Sequence, residues 1–147
     1  MAGPVAAPEA FEYLKGLEGK WVVQNGKPDA PQWEFEVTSR GSAIVERLLI
    51  GTEKEMTTVY HLDNDRLIGT HYCQMKNQPH IVAVSKEGDN LNFECDGNVT
   101  NTKSHQEQHM HNVRYKRMGE DVEVSMDIVK EGQIVSAPAF RLTRLKE

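Results

Sequence analysis

The chain has 147 residues, a formal net charge of -5, 38% hydrophobic and 27% charged side chains, which is the balance of one globular domain with a single core and excludes a largely disordered chain. No apolar run approaches the roughly 20 residues that a bilayer-spanning helix requires. Lys and Arg are scattered singly among Asp and Glu, so the basic stripe that a nucleic-acid partner needs is missing.

The opening stretch MAGPVAAPEAF lacks the basic and long apolar regions of a secretory signal, which sets the expectation of a cytoplasmic protein. In a reducing compartment its two cysteines, Cys73 and Cys95, are expected as free thiols. Residues 8–16, PEAFEYLKG, predict the one helix: Pro8 suits the first helical position, Glu9 and Glu12 favour the positive end, and Gly16 suits the stop. Phe11 and Leu14 share a face of it.

After Gly19 the period changes to two. Trp33, Phe35 and Val37 alternate with Glu34, Glu36 and Thr38; Val122, Val124, Met126 and Ile128 alternate with Glu123, Ser125 and Asp127, the pattern of half-buried antiparallel strands. Strands are expected at 20–25, 33–40, 43–51, 55–62, 66–74, 80–87, 90–96, 109–118, 121–130 and 133–145, with hairpin chemistry at Arg40-Gly41-Ser42, Asp63-Asn64-Asp65, Glu87-Gly88-Asp89, Gly119-Glu120 and Glu131-Gly132. In an up-and-down meander alternate connections share an end. The tight turns at 40–42, 63–65, 87–89 and 119–120 then close one end, and every long connection falls at the other, which becomes a mouth. A sheet of about ten strands without covering helices hides its edges by closing, so the fold expected for residues 1–147 is a single all-β domain: an up-and-down antiparallel β-barrel with a short N-terminal helix. A two-sheet sandwich is the alternative. Barrels of this size enclose one small ligand.

The candidate chemistry gathers at that mouth. His71, Cys73, His80, Cys95, His109 and His111 all fall near strand ends on its side. Parity puts His71 and Cys73 with Leu67 and Gly69, and His109 and His111 with Val113 and Tyr115, so both pairs are expected to face inward. Two histidines at that spacing lie about 6 to 7 Å apart along a strand; with His71 or Cys73 as a third ligand, His71, Cys73, His109 and His111 make a candidate site for a transition metal such as Zn. Without metal, an imidazole near neutral pKa is a usable general acid or base, Cys73 beside an imidazole can ionise and attack an electrophile, and Tyr115 can supply a phenol. The candidate catalytic residues are therefore His71, His109, His111 and Tyr115. The candidate ligand-binding set adds Cys73, His80 and Cys95. Glu34, Glu36, Glu46 and Glu94 are expected on the outer face. His61 belongs to the tight end beside Asp63-Asn64, and His105 to a polar loop that is either solvated or a flap over the mouth.

A short helix, Gly19-Lys20-Trp21 opening the first strand and Phe140-Arg141-Leu142-Thr143-Arg144 at the end of the meander resemble the calycin superfamily of lipocalins and fatty-acid-binding proteins. That resemblance implies a cation from the last strand, Arg141 or Arg144, over the ring of Trp21. The stretches Thr58-Val59-Tyr60-His61-Leu62, Thr70-His71-Tyr72-Cys73 and His109-Met110-His111 also look like a group of small bacterial calycin-like proteins, which implies a fold and leaves the chemistry open. The chain departs from the fatty-acid-binding pattern, because Gly26-Lys27-Pro28-Asp29-Ala30-Pro31 is too short and proline-rich for a helical lid. The functional expectation is binding of a small, partly apolar molecule at a histidine-lined mouth, with no nucleic-acid or membrane partner. An enzyme using the same pocket, metal-assisted or acid/base, stands beside it, and haem ligation, as in nitrobindin-like barrels, is a third class.

Overall fold

The computed structural model describes residues 6–104 and 106–146. His105, the first five residues of the opening stretch and Glu147 lie outside the described residues. Helix α1 (Ala7–Lys15) carries its proline in the first turn, Glu9 at the positive end and Lys15 at the negative end. It buries Ala10, Phe11 and Leu14. Eleven strands follow: β1 (Gly19–Val23), β2 (Gln32–Thr38), β3 (Ala43–Ile50), β4 (Met56–Asp63), β5 (Arg66–Tyr72), β6 (Gln78–Glu87), β7 (Asn90–Thr100), β8 (His109–Met118), β9 (Asp121–Lys130), β10 (Gln133–Ser136) and β11 (Phe140–Arg144).

Each strand from β1 to β9 pairs antiparallel with the next, and β11 closes the circuit between β9 and β1. The result is a closed antiparallel barrel of ten staves with one short N-terminal helix, and no second sheet packs against it. The tenth stave is in two pieces. A continuous strand over 133–145 was the expectation; β10 pairs with 127–130 of β9, β11 with 122–124, and the chain leaves the ladder between them. Pro138 sits in that gap and has no N–H to donate, which is where a strand must break. Among the described residues no helix is long and apolar enough to cross a membrane.

The closed end is sealed by α1. Trp21 is buried there and donates its indole N–H to the Leu17 carbonyl at 2.9 Å. Of the two candidate cations, Arg144 is the one over Trp21, with its guanidinium carbon 4.1 Å from the ring centre, while Arg141 pairs with Asp121 at 3.0 Å. Arg144 also donates to the carbonyls of Gly16 and Glu18, and Arg117 to that of Tyr13, so two arginines from the barrel wall satisfy carbonyls at the end of α1.

Above this base the interior is filled by Trp33, Phe35, Tyr60, Phe93 and Tyr115. Tyr60 and Phe93 have ring centres 5.0 Å apart. Gly69 stands opposite Tyr60 on β5, and a Cβ there would lie 2.8 Å from the Tyr60 ring; the glycine makes room for the aromatic. A cavity remains at the mouth end.

Candidate functional site

Barrel parity sets which side chains reach the interior, and it overturns one expectation at once. Glu46, expected on the outer face with Glu34, Glu36 and Glu94, is 0% exposed. It lies between Ile44 and Leu48 on the inward side of β3, so period two alone places it inside. Its Oε2 accepts the Trp33 indole N–H at 2.7 Å and its Oε1 accepts the Tyr115 hydroxyl at 2.5 Å and, more weakly, the Tyr60 hydroxyl at 3.4 Å. Tyr60 and Tyr115 also share a hydrogen bond between their hydroxyls. Burial pushes the Glu46 carboxyl up to about 7 against the lowering effect of its three donors. The two phenols are raised well above their ordinary value by the same burial and by the neighbouring carboxylate.

The next residue along that row begins the mouth. Glu46 is paired across the strands with Thr58, and Thr58 with His71. The Thr58 Oγ1 and His71 Nδ1 are 2.7 Å apart, and both side chains are buried. Burial lowers the His71 pKa to about 4, so its ring is neutral at physiological pH. His71, Cys73 and His109 line one cavity of about 240 Å³ at the open end, together with Met56, Met75, Met110 and Met126. Lys54 stands exposed at its rim, and Pro138 and Phe140 of the split stave form part of its wall. His109 Nδ1–H donates to the Glu107 carbonyl at 2.6 Å. The turn that carries Cys73 is tied to this side of the mouth by Asn77, whose amide donates to the Gln108 carbonyl at 2.9 Å. Shallower depressions of about 370 and 640 Å³ lie outside the barrel at the closed end, beside α1, where the arginine guanidinium groups already meet backbone carbonyls.

Four expected site residues are elsewhere. His111 sits in a β-bulge: Met110 pairs with Ile128 and Asn112 with Asp127, leaving one extra residue on β8. The bulge turns Met110 inward and moves His111 out of the cavity lining, correcting the parity expected for 109–115. His80 falls on the outer face between buried Pro79 and Ile81. Cys95 packs against the core, away from the cavity. Tyr115 faces inward but deep in the barrel, with its hydroxyl committed to Glu46 and Tyr60.

The donor set does not fit a metal centre. Among the described residues no group of three or more His, Cys, Asp or Glu side chains is arranged to hold an ion. His71 and His109 are bonded through Nδ1 alone, and His111 is not part of the cavity lining. Burial also pushes the Cys73 thiol up, which keeps it protonated at neutral pH and disfavours it as either metal ligand or nucleophile. Of the four residues expected to share a transition metal, the cavity brings His71, Cys73 and His109 together and leaves His111 outside. A cavity of about 240 Å³ is also too small to enclose haem, falling below the roughly 300–1,000 Å³ of pockets for drug-sized ligands.

No model of a known protein family matches the chain, and no curated protein matches it. The functional reading therefore stands on the site itself. Sequence reasoning missed Glu46, Thr58 and the methionines. For Glu46 the alternation of Ile44 and Leu48 was the available signal. Nothing local marks Thr58, whose part depends on a strand neighbour 13 residues away.

Proposed function

We propose that this barrel binds a small, mainly apolar molecule in the mouth cavity, as calycin-like barrels do, and holds it by the ring nitrogens of His71 and His109. One observation carries the reading. Two buried imidazoles at one methionine-lined cavity each give Nδ1 to the protein, and among the described residues neither Nε2 has a protein partner. A core histidine kept only for packing has its polar atoms bonded; one left half-bonded at the mouth of a cavity offers its free nitrogen to a ligand. The methionines suit this, because their flexible thioethers adapt to an apolar body.

The Trp21 and Arg144 stack supports kinship with calycins, and the free thiols Cys73 and Cys95 suit the cytoplasm. The partner is then a small molecule and not a nucleic acid or a membrane. A protein labelled at its methionine methyl groups and titrated with toluene tests the reading. Saturable shifts at Met56, Met110 and Met126, with a silent methyl at Met118, are expected; no shift at any of the three overturns it.

An enzyme on the same cavity is the second reading, favoured by the His109 tautomer, which leaves Nε2 as a base aimed at bound substrate. Its acid/base pair is His71 and His109. Neither the Cys73 thiol nor the Tyr115 phenol takes part, the first because it is protonated and the second because it is already bonded.

A further inference from the structure

The two histidines that line the mouth are not equivalent. His109 Nδ1 faces a carbonyl oxygen, which can only accept, so the Nδ1 of His109 carries the proton. In the neutral ring Nε2 is then a bare lone pair. His71 is fixed the other way. Its Nδ1 meets the Thr58 hydroxyl, which is buried and has no other side-chain hydrogen bond among the described residues. Were Nδ1–H the donor, the hydroxyl proton would be left without an acceptor in a dry site, at the cost of a lost hydrogen bond. The arrangement that satisfies both atoms has Thr58 donating to Nδ1, which places the His71 proton on Nε2.

Resting on the binding reading above, we infer that the cavity presents one N–H, from His71, and one lone pair, from His109, and so selects uncharged, mainly apolar molecules bearing a group that accepts and donates at once, a hydroxyl above all, with simple phenols as the smallest members of the class. A hydroxyl oxygen takes the His71 N–H while its own proton goes to His109. A hydrocarbon satisfies neither nitrogen. The low pKa of His71 agrees with this, since a ring held neutral offers no charge to an anion. Lys54 is the one charged side chain of the lining, and it stands exposed at the rim, so the one cation open to a carboxylate lies at the cavity's edge. The volume of about 240 Å³ suits one or two rings: an engineered apolar cavity of about 150 Å³ already holds benzene.

Two measurements on the intact protein test this. Long-range proton–nitrogen correlation spectra of the imidazoles read the tautomers directly: His71 is expected as the Nε2–H form and His109 as the Nδ1–H form, and finding the same tautomer at both overturns the inference. Titration with toluene, phenol and benzoate then reads selectivity. Phenol is expected to bind about tenfold more tightly than toluene, or about 1.4 kcal/mol, and benzoate more weakly than phenol. Equal affinity for phenol and toluene overturns the inference while leaving the cavity reading intact. Tighter binding of benzoate overturns it in favour of an anion held by Lys54, and silence with both toluene and phenol defeats the cavity reading itself. Thr58→Val supplies the internal check, because Thr58 acts as a positioning residue. The variant should lose the fixed His71 tautomer and reduce the ratio of phenol to toluene affinity; an unchanged ratio in this variant counts against the assignment.

Discussion

Two polar clusters lie next to each other inside this barrel, and they are built on opposite rules. At Glu46 both carboxyl oxygens are met by protein donors from Trp33, Tyr60 and Tyr115, and the side chain is fully buried. Along the same row, through Thr58, His71 is met at one nitrogen and left open at the other, beside a cavity. A saturated buried group fixes one packing of the core, since losing any partner leaves an unpaired atom in a dry place. An unsaturated one adds little to folding and keeps its bonding capacity for something that arrives later. Both groups are buried, so burial alone does not distinguish them; on the binding proposed above, the unmet valence does.

That contrast breaks most directly at Glu46. Glu46→Ala strands three donors and opens a hole, and we expect a loss of about 3 to 5 kcal/mol in denaturant melts, as for other broken buried networks. A loss below about 1 kcal/mol would mean that the cluster is not the keystone its bonding implies.

The two clusters also respond oppositely to pH. Glu46 holds its proton in the folded state up to about 7, above its unfolded value, so its contribution is fully present below pH 4.5 and is lost as the pH rises to about 7. His71 has a folded pKa of about 4, below its unfolded value, so its contribution is present above pH 6.5 and is lost as the pH falls to about 4. Each effect is on the order of 3 kcal/mol, and in the wild type they oppose one another across this window. Glu46→Gln removes one side of the balance. Its stability should therefore climb with pH between 4 and 6.5 more steeply than that of the wild type, and parallel pH profiles for the two proteins would contradict the assignment.

Gly69→Ala should cost about 1 to 3 kcal/mol by overpacking against Tyr60, measured as a lowered melting temperature. The smallest effect on folding is expected at the mouth. His71→Gln with His109→Gln should keep the melting temperature within a few degrees while removing the preference for phenol over toluene, and His111→Gln should change neither. Unfolding of the double variant would make the histidines part of the core, and the distinction between the two clusters would collapse.

The bounds of the strands at 109–118 and 121–130 were legible to the residue, because Gly119-Glu120 marks a turn that glycine favours and 122–128 alternates. The barrel, its short helix and its mouth followed from such local signals and from the order of long and short connections. The break at Pro138 was also written in the sequence, as proline rarely sits inside a paired strand. Glu46 was misplaced although its neighbours Ile44 and Leu48 put it inside; a carboxylate outweighed its parity. The bulge at His111 carries no residue signal, since neither glycine nor proline marks it, and its effect is to exchange Met110 for His111 at the cavity. The tautomers of His71 and His109 depend on which atoms Thr58 and Glu107 turn toward the rings, which no spacing rule encodes.

The divided tenth stave gives the barrel a seam. β10 pairs on one side only, and its Ile134 and Val135 are exposed, so few contacts hold it to the barrel. Local opening begins where the fewest bonds hold. The gap beside Pro138 is part of the cavity wall, and peeling β10 from β9 loosens that wall while β11 still closes the barrel against β1. For the guest proposed above, exchange is then expected to follow this local opening and not the unfolding of the whole.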